Sequence, residues 1–511
     1  MSAALLTPGN IVLAGNARDA ELLANVRPED WTNPTPARCY NLVVIGAGTA
    51  GLVTAAGAAA LGARVALVER NLMGGDCLNF GCVPSKALMR SARFQADLRQ
   101  APRFTGSVPL PSTADFGAAM ERMRDLRARI SHHDSAQKFR DLGVDVFLGR
   151  ASFADRRTVE VGGAALRFSK AVIATGSRAA TPAIEGLAEA GYLTNETVFN
   201  LTERPRRLLV IGGGPLGCEM AQAFARLGCA VIIVHMERYF LPGEERDAAD
   251  LLADSLRRDG LEVRLNTKVT HVAAVNGEKH VSMVSEGHET TLAVDEILAG
   301  VGRVPNVDGL NLCAAGIAYD IREGVRVDDR LRTSNRRVYA AGDVALRRKY
   351  THMADATARI VIRNALFHGR ERLSSLVIPW CTYTDPEIAH VGMHTKEAQV
   401  RGYPIKTFTI PMGDVDRSVL DGEGEGFVKI HVRDGTDTIV GATIVARHAG
   451  EMINEVSLAM VAGIGLGTIS RVIHSYPTQA EAIRKAGDAY NRTRLTPFVR
   501  ALSRRWLAWS R

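Results

Sequence analysis

The chain has 511 residues, of which 46% are hydrophobic and 23% charged, as is typical of a soluble globular protein with three or four domains. The absence of any apolar run of about 18 residues excludes a membrane-spanning helix. The chain has seven cysteines, five of them scattered singly, which excludes the disulfide framework of a small secreted domain. The net charge is +8, and residues 489–511 contribute six arginines and no acid to it. Because most of the positive charge lies in this tail and not on the body, we expect no nucleic-acid partner.

The first 38 residues carry no chemical motif, and we expect them to form an extension that wraps the surface. They lack the basic start of a secretory signal and contain acids early, unlike a transit peptide. Because the cysteine usage also fits a reducing compartment, we expect a cytoplasmic protein.

Residues 40–70 read as a βαβ unit, with an apolar run, a GxGxxG turn, an alanine-rich stretch and a second apolar run. Gly46 permits the tight turn, Gly48 lets the backbone approach a pyrophosphate, and Gly51 lets the helix pack on the strand. Glu69 lies 23 positions after Gly46, where an acid binds the 2′-hydroxyl of an adenosine ribose. This unit therefore predicts a dinucleotide site for an unphosphorylated ribose.

The sequence GGDCLNFGCVPSK follows, with Cys77 and Cys82 five positions apart. Zinc would need further ligands that are not nearby, so we expect no metal, whereas a structural disulfide is an alternative to a redox dithiol. Residues 79–81 can break the helix and bring the two sulfurs together. Pro84 suits the first turn of a helix whose positive end, together with Lys86, would favour a Cys82 thiolate, and this favours the redox dithiol.

Residues 206–236 repeat the βαβ pattern, with the turn glycines Gly212, Gly214 and Gly217. The position 23 residues after Gly212 is His235, so the acid of the first unit is missing. Its absence removes repulsion toward a ribose 2′-phosphate, and Arg238 would add attraction. The second site is therefore expected to bind NADPH in preference to NADH, although Glu237 nearby leaves NADH open.

The rest of the chain supplies short strands and then a different texture. Three further strands are predicted to end in small residues, at 171–176, 296–306 and 338–344. After about residue 375 alternating strands precede helices, at 427–432, 439–445, 449–462 and 478–491. The predicted fold class is α/β, with two three-layer Rossmann-like dinucleotide-binding domains and a C-terminal α+β domain.

These motifs resemble those of the flavoprotein disulfide reductases with two dinucleotide-binding domains, which include dihydrolipoamide dehydrogenase, glutathione reductase and mercuric reductase. GGDCLNFGCVPSKAL matches the family pattern GGxCxNxGCxPSKxL almost throughout, and the resemblance covers about residues 38–490. Other family motifs follow in order, at 174–176, 302–306, 340–344 and 383–392. The implied domains are an extension (1–38), a split FAD-binding domain (39–185 and 300–372), an NAD(P)-binding domain (186–299), a dimerisation domain (373–491) and a basic tail (492–511).

The resemblance implies a role for each matching residue. Cys77 would face the interchange substrate, and Cys82 would lie against the flavin as the charge-transfer thiolate. Lys86 would lie near the flavin N5 and pair with Glu219. The other cofactor positions implied are Gly75, Thr175, Gly176 and Asp343 for FAD and Gly302 for the nicotinamide dinucleotide.

The stretch HSYPTQAE departs from the family pattern HPTxxE, in which the histidine is the acid–base and the glutamate orients it. Glu481 is present, but Tyr476 precedes Pro477, and a phenol with an ordinary pKa of about 10 is a poor base at neutral pH. Tyr476 could still donate a proton, and His474 is the alternative group. Mercuric reductases have a tyrosine here but also a C-terminal cysteine pair, whereas the last cysteine of this chain is Cys381.

Residues 495–511 carry apolar side chains at helical spacing with arginines between them. Weak contact with an anionic membrane surface is one expectation, and a helix docked on the body or a frayed end is the other.

The function predicted from these features is that of a mercuric reductase-like homodimer whose active sites are shared between chains. Electrons would pass from NADPH or NADH to FAD, to Cys77–Cys82, and to a small-molecule or metal-ion acceptor. The alternatives are a dihydrolipoamide dehydrogenase and a flavoprotein redox sensor or binding protein with little turnover.

Overall fold

The structure is a computed structural model that describes residues 5–6, 12–13, 15–106 and 114–511. Among these residues no helix is long and apolar enough to cross a membrane. The chain divides into two compact units. The first contains the described residues up to Met236 together with Asn266–Leu376, and the second contains Glu237–Leu265 and Val377–Arg511. The domain limits expected from the sequence stay a prediction.

The first unit is built on a parallel sheet whose central strand is Tyr40–Ile45. Val43 pairs with Ala66 on one side and with Ala171 on the other. The strands of the sheet are Asp145–Leu148, Val65–Glu69, Tyr40–Ile45, Ala164–Ile173 and Val338–Ala340, with Ala151–Asp155 and Thr158–Val161 continuing it as an antiparallel meander. Side chains on both faces of the central strands are buried, as expected for a parallel sheet covered on both sides.

A second strand–turn–helix–strand unit follows in the same compact unit. Strand Arg207–Ile211 pairs in parallel with Ala230–Val234 and with Glu296–Ala299, and helix Pro215–Arg226 connects the first two. An antiparallel meander precedes the last strand and consists of Thr267–Val275, Glu278–Ser285 and His288–Val294. The predicted pair of Rossmann-like units is therefore confirmed.

Helices and short strands complete the first unit. Its helices are Ala17–Val26, Thr49–Ala60, Gly75–Asn79, Cys82–Gln100, Pro102–Thr105, Phe116–Ser131, Ala136–Asp141, Leu187–Ala190, Pro215–Arg226 and Thr351–Leu366. Its 3-10 turns are His132–Asp134, Val198–Asn200, Gly342–Val344 and Leu373–Ser375. Its short strand pairs are Leu5–Leu6 with Val12–Leu13, Ser177–Ala179 with Arg303–Pro305, and Tyr319–Asp320 with Gly324–Val325.

The second unit contains a five-stranded antiparallel sheet, as predicted for an α+β domain. In sheet order its strands are Pro379–Thr382, Glu387–Gly392, Ile439–Ala446, Phe427–Arg433 and Ile405–Pro411. The other elements are helices Arg246–Arg258, Thr395–Val400, Asp416–Leu420, Ala449–Ala462, Leu466–Ile469, Glu481–Thr493 and Pro497–Trp509, the 3-10 turn Met412–Asp414 and strand Glu262–Arg264. Helix Ala449–Ala462 covers the sheet with its buried side chains Ile453 and Val456.

The N-terminal extension contains an amphipathic helix. Helix Ala17–Val26 begins at Asn16, whose side chain accepts a hydrogen bond from the Asp19 N–H. Its side chains Leu22 and Val26 are fully buried, whereas Arg18 and Glu21 are exposed, so one face of the helix packs on the first unit and the other faces solvent. The expectation that the extension wraps the surface stays a prediction.

Substituting Gly51 with alanine is expected to destabilise the first unit. Alanine in a helix is normally favoured over glycine by about 1 kcal/mol. A Cβ at Gly51 would, however, lie 1.7 Å from the Gly46 carbonyl oxygen, so the clash dominates. We expect Gly51→Ala to lower the free energy of unfolding by about 2 kcal/mol or more, measured by urea denaturation.

Gly214→Ala is the matched control, because a Cβ there would meet no described atom within 4 Å. Its effect should stay within about 1 kcal/mol. Equal unfolding midpoints for the two variants would contradict this account of the turn.

Candidate active site around two cysteines

The first glycine turn and the cysteine motif are joined through their backbones. The Gly74 N–H donates to the Ala47 carbonyl at 2.8 Å. A Cβ on Gly75 would lie 2.6 Å from the Gly48 Cα. The φ angles of Gly74 and Gly75 are both positive, at 86° and 58°. Only glycine combines that conformation with so close an approach, so the two motifs form one rigid piece.

The two cysteines lie in two separate helices. Cys77 belongs to Gly75–Asn79, and Cys82 is the first residue of Cys82–Gln100, which we call the motif helix. The helical conformation is interrupted between them at Gly81, where a Cβ would lie 2.9 Å from the Asp76 carbonyl oxygen. The predicted break at residues 79–81 is therefore present, and both cysteines are free thiols.

The surroundings make Cys82 the more acidic of the two thiols. A hydrogen bond from Cys77 lowers the pKa of Cys82, assisted by Thr351 and the positive charge of Lys86. The same hydrogen bond and burial raise the pKa of Cys77. Gly81 provides no side-chain cap, so the N–H groups of the motif helix also favour a thiolate at its first residue.

Thr351 is a site residue that sequence reasoning missed. Its Oγ1 lies 3.2 Å from the Cys82 Sγ, at the start of helix Thr351–Leu366. The two residues are 269 positions apart, so no local pattern could have indicated the contact.

Lys86 lies one helical turn after Cys82 and pairs with a carboxylate from the second glycine unit. Its Nζ is 2.7 Å from Glu219 Oε2, and the Glu219 side chain is only 5% exposed. The structure thus brings together two residues that the resemblance to the family paired.

The first glycine turn fits a pyrophosphate. Gly48 caps helix Thr49–Ala60 without any side-chain hydrogen bond, so the N–H groups of its first turn can bind an anion. Glu69 at the neighbouring strand end accepts hydrogen bonds from the N–H groups of Ala47 and Asn71, each at 2.7 Å. Burial raises the pKa of Glu69. These residues fit the FAD dinucleotide expected at this turn.

Asp343 and Thr175 lie in a polar network at the carboxyl ends of neighbouring strands. Asp343 Oδ2 accepts from the Ser177 hydroxyl at 2.7 Å, and the Arg303 Nε donates to the same hydroxyl at 2.7 Å. The Thr175 hydroxyl donates to the Asn306 carbonyl at 2.7 Å. Arg303 was not predicted, although it follows the predicted Gly302.

Three positive-φ glycines shape this region. Gly176 follows Thr175 with a φ of 67°, Gly302 has a φ of 109°, and no described atom would meet a Cβ at either position within 4 Å. Gly46 has a φ of 103°, and a Cβ there would lie 2.4 Å from the Ala174 carbonyl oxygen. The Gly46 turn therefore packs directly on the neighbouring strand end.

The second glycine turn repeats the first turn closely. Cβ atoms on Gly212 and Gly217 would lie 2.4 Å from the Gly300 carbonyl oxygen and 2.1 Å from the Gly212 carbonyl oxygen, respectively, whereas Gly214 is open. The Gly213 N–H points to His235 Nδ1 at 3.3 Å, just as the Ala47 N–H points to Glu69. His235 therefore takes the place of the acid.

Arg238 lies in the second unit, in the segment that leads to helix Arg246–Arg258. Its guanidinium carbon is 5.4 Å from the centre of the Tyr239 ring. Its proposed part in nucleotide binding stays a prediction.

The second unit contains the three predicted site residues of the HSYPTQAE stretch, His474, Tyr476 and Glu481. The Tyr476 hydroxyl donates to Asp416 Oδ2 at 2.8 Å, and this hydrogen bond raises the pKa of Tyr476. His474 Nε2 lies 2.9 Å from Glu455 Oε1. Glu481 binds Arg484 at 2.7 Å through Oε1, while its buried Oε2 has no hydrogen-bond partner among the described residues. No hydrogen bond joins Glu481 to Tyr476 or His474 within the part of the chain that the structure describes. The partners Asp416 and Glu455 were not predicted.

Comparison with known proteins agrees with this geometry. Residues 40–359 match the model of the pyridine nucleotide-disulphide oxidoreductases, and residues 378–487 match the dimerisation domain of the same family.

Individual relatives cover most of the chain. A mercuric reductase from Staphylococcus aureus is 33% identical over 455 residues, covering 89% of this chain and 83% of that one. A dihydrolipoyl dehydrogenase from Thermus scotoductus is 33% identical over 473 residues, covering 89% and 98%. The solved structure of the HOCl-induced flavoprotein disulfide reductase RclA from Escherichia coli is 30% identical with a TM-score of 0.79, covering 87% and 99%. The chain therefore belongs to the pyridine nucleotide-disulphide oxidoreductase family and is a flavin disulfide oxidoreductase that uses FAD and NAD(P)H.

Proposed function

We propose that this enzyme uses Cys77 and Cys82 as a redox pair that delivers electrons to a metal ion or a small molecule. The observation that carries the proposal is the position of Cys82, which begins the motif helix, hydrogen-bonds to Cys77 and has a lowered pKa. A metal-ion acceptor is supported by the mercuric reductases among the relatives and by a Cu(II) complex of the structural neighbour RclA.

The candidate site residues of the first unit each have a proposed role. Bound FAD would relay the electron pair of NAD(P)H to the Cys77–Cys82 disulfide. The glycine turn at Gly48 would hold its pyrophosphate, with Glu69 on the adenosine ribose and Asp343 near the ribityl chain. The remaining FAD contacts are proposed at Gly46, Gly51, Gly75, Thr175 and Gly176.

The acceptor would receive electrons from Cys77, the thiol that is not held as a thiolate. Reduction of the disulfide takes two electrons and one proton when Cys82 remains a thiolate. Tyr476 would donate a hydrogen bond or a proton to the acceptor rather than remove one, because a phenol is a poor base at neutral pH. Its hydroxyl would first have to leave Asp416, to which it donates in this structure. His474 is the alternative group for this task, and its Nε2 is likewise engaged by a carboxylate, that of Glu455.

The second glycine turn is proposed to bind NADPH in preference to NADH. Because His235 Nδ1 accepts the Gly213 N–H, a neutral imidazole would carry its proton on Nε2 and offer a donor to a 2′-phosphate. Arg238 would add positive charge, and Gly302 would border the dinucleotide.

The dimerisation domain supports a homodimer, and we propose that the active site is shared between the two chains. The free cysteines outside the motif fit a reducing compartment such as the cytoplasm.

Contact of the tail with an anionic membrane is a weaker proposal. Helix Pro497–Trp509 has no buried residue, and Phe498 and Trp509 are 75% and 80% exposed. Flotation with anionic and neutral lipid vesicles tests it, and equal recovery with both would reject it.

The function is tested by anaerobic titration of the FAD-loaded protein with NADPH and NADH, followed by turnover with Hg(II), Cu(II), lipoamide, glutathione disulfide and quinones. We expect a long-wavelength absorbance band in the two-electron-reduced protein, and Cys82→Ser should abolish it. Cys77→Ser cannot form the disulfide, so it should show the band before any reductant is added. A band that persists in Cys82→Ser would contradict the assignment of Cys82.

The same acceptor panel separates the alternatives. Fast turnover with lipoamide as the acceptor and NADH as the donor, together with the reverse reaction of dihydrolipoamide with NAD⁺ in a separate assay, would identify a dihydrolipoamide dehydrogenase. Reduction without turnover on any acceptor would indicate a redox sensor or binding protein.

Removing the charge of Lys86 should raise the pH midpoint at which the long-wavelength absorbance band of the two-electron-reduced protein appears. The pKa of Cys82 is lowered, so its thiolate is present above that pKa and is lost as the pH falls through it. Lys86→Gln removes one cause of the lowering, so the band should disappear at a higher pH than in the wild-type protein. Lys86→Arg is the control and should keep the midpoint; identical midpoints for wild type and Lys86→Gln would reject the role of Lys86.

Restoring an acid at position 235 should change the preferred nucleotide. His235→Glu would bind the ribose 2′-hydroxyl and repel a 2′-phosphate, so kcat/KM for NADPH relative to NADH should fall about tenfold or more. His235→Gln is the matched control, because it removes the imidazole without adding charge. An unchanged ratio in His235→Glu would refute the proposed orientation of the nucleotide.

Placing a base at position 476 tests whether its absence limits thiol chemistry. Tyr476→His should raise lipoamide reduction by about tenfold or more, since general base catalysis contributes at least this much. Tyr476→Phe should not raise it. No gain in Tyr476→His would show that another step limits the reaction.

A further inference from the structure

A buried ion pair fixes the N-terminal extension to the first unit. Asp19 lies on helix Ala17–Val26, and Arg127 lies on helix Phe116–Ser131. Arg127 NH2 is 2.7 Å from Asp19 Oδ1, and both side chains are only 1% exposed. Asp19 Oδ2 also accepts from the Gly15 N–H at 3.2 Å, so both carboxylate oxygens are engaged.

The same guanidinium reaches the loop between the two cysteines. Arg127 NH1 donates to the Asn79 carbonyl oxygen at 3.0 Å. Asn79 ends the short helix that carries Cys77, and its buried side chain donates to the carbonyl oxygens of Met73 and Gly75 at 3.0 and 2.8 Å. Arg127 therefore binds the backbone at the end of the short helix, just before the interruption that precedes Cys82.

The other end of the extension helix contacts the segment before the motif. The Val26 carbonyl accepts from the Met73 N–H at 3.2 Å, and Arg27 NH1 donates to the carbonyl oxygens of Arg70 and Asn71 at 3.0 and 2.8 Å. The extension thus supports the redox motif at two points, although the match to the family model begins only at residue 40.

We propose that Asp19 and Arg127 are positioning residues for the redox pair, which fix the Asn79 carbonyl and thereby the spacing and reactivity of Cys77 and Cys82. This rests on the proposed function. A buried guanidinium is tolerated only with its carboxylate, and burial lowers the pKa of Arg127 while the Asp19 charge opposes this. Without Asp19 an uncompensated positive charge would remain beside the motif and favour the thiolate of the reduced state over the neutral disulfide.

The test is the dithiol–disulfide equilibrium of Cys77 and Cys82 in the full-length FAD-loaded protein. The protein is equilibrated in buffers of oxidised and reduced dithiothreitol, and the two states are trapped by alkylation and counted by mass spectrometry. We expect Asp19→Asn to shift the equilibrium about tenfold toward the dithiol, which is roughly 30 mV for a two-electron couple. Asp19→Glu, which restores the charge, should bring it back to within about twofold of wild type.

The control is Glu21→Gln, which breaks the exposed pair between Arg18 and Glu21 on the same helix and should leave the equilibrium unchanged. If Asp19→Asn does not fold, Arg127→Lys replaces it. Lysine keeps the positive charge but lacks the planar guanidinium that binds both Asp19 and Asn79. We therefore expect Arg127→Lys to change the dithiol–disulfide equilibrium constant at least threefold.

The outcomes separate this proposal from the proposed function. A lower melting temperature with an unchanged equilibrium and unchanged pH profile of alkylation would show a purely structural role and overturn the positioning proposal alone. If the wild-type protein forms no Cys77–Cys82 disulfide in any buffer, the proposed function fails and this proposal fails with it.

Discussion

The close approach of Gly48 and Gly75 is the constraint on which the rest of the site depends. A glycine of the dinucleotide turn and a glycine of the cysteine motif meet backbone to backbone, where a Cβ would come within 2.6 Å. The adjacent hydrogen bond from Gly74 to Ala47 locks the same contact. Since the motif helix starts only a few residues later, one piece of backbone sets the positions of both the first glycine turn and Cys82, where we propose that the dinucleotide and the redox thiol lie.

Local patterns were sufficient to predict the architecture. The central strands are buried on both faces and therefore read as continuous apolar runs, and the glycine turns recur because the tight packing of helix on strand admits no side chain at Gly51 or Gly217. The break between the cysteines was also predictable, because residues 79–81 include asparagine and glycine, which favour turns over a continuous helix. These features depend on residues that are neighbours in the chain.

The partners of the site residues could not be predicted in the same way. Thr351 reaches Cys82 across 269 positions, and Asp19 reaches Arg127 across 108. Tyr476 was recognised as a departure from the family pattern, but its hydrogen bond to Asp416 depends on how a loop and a short helix meet in three dimensions. The extension was expected at the surface, and its sequence has no motif that would indicate which of its side chains, such as Asp19, are buried against the first unit.

The ion pair between Lys86 and Glu219 connects the motif helix to the helix that begins at the second glycine turn. Lys86 contributes to the acidity of Cys82, and Glu219 partly neutralises Lys86. If a nucleotide bound at that turn moved Glu219 away from Lys86, the Lys86 charge would act on Cys82 with less compensation, and the proton affinity of the thiol would fall. Thermodynamic linkage makes this reciprocal: ionisation of Cys82 must change the affinity for that nucleotide by the same factor.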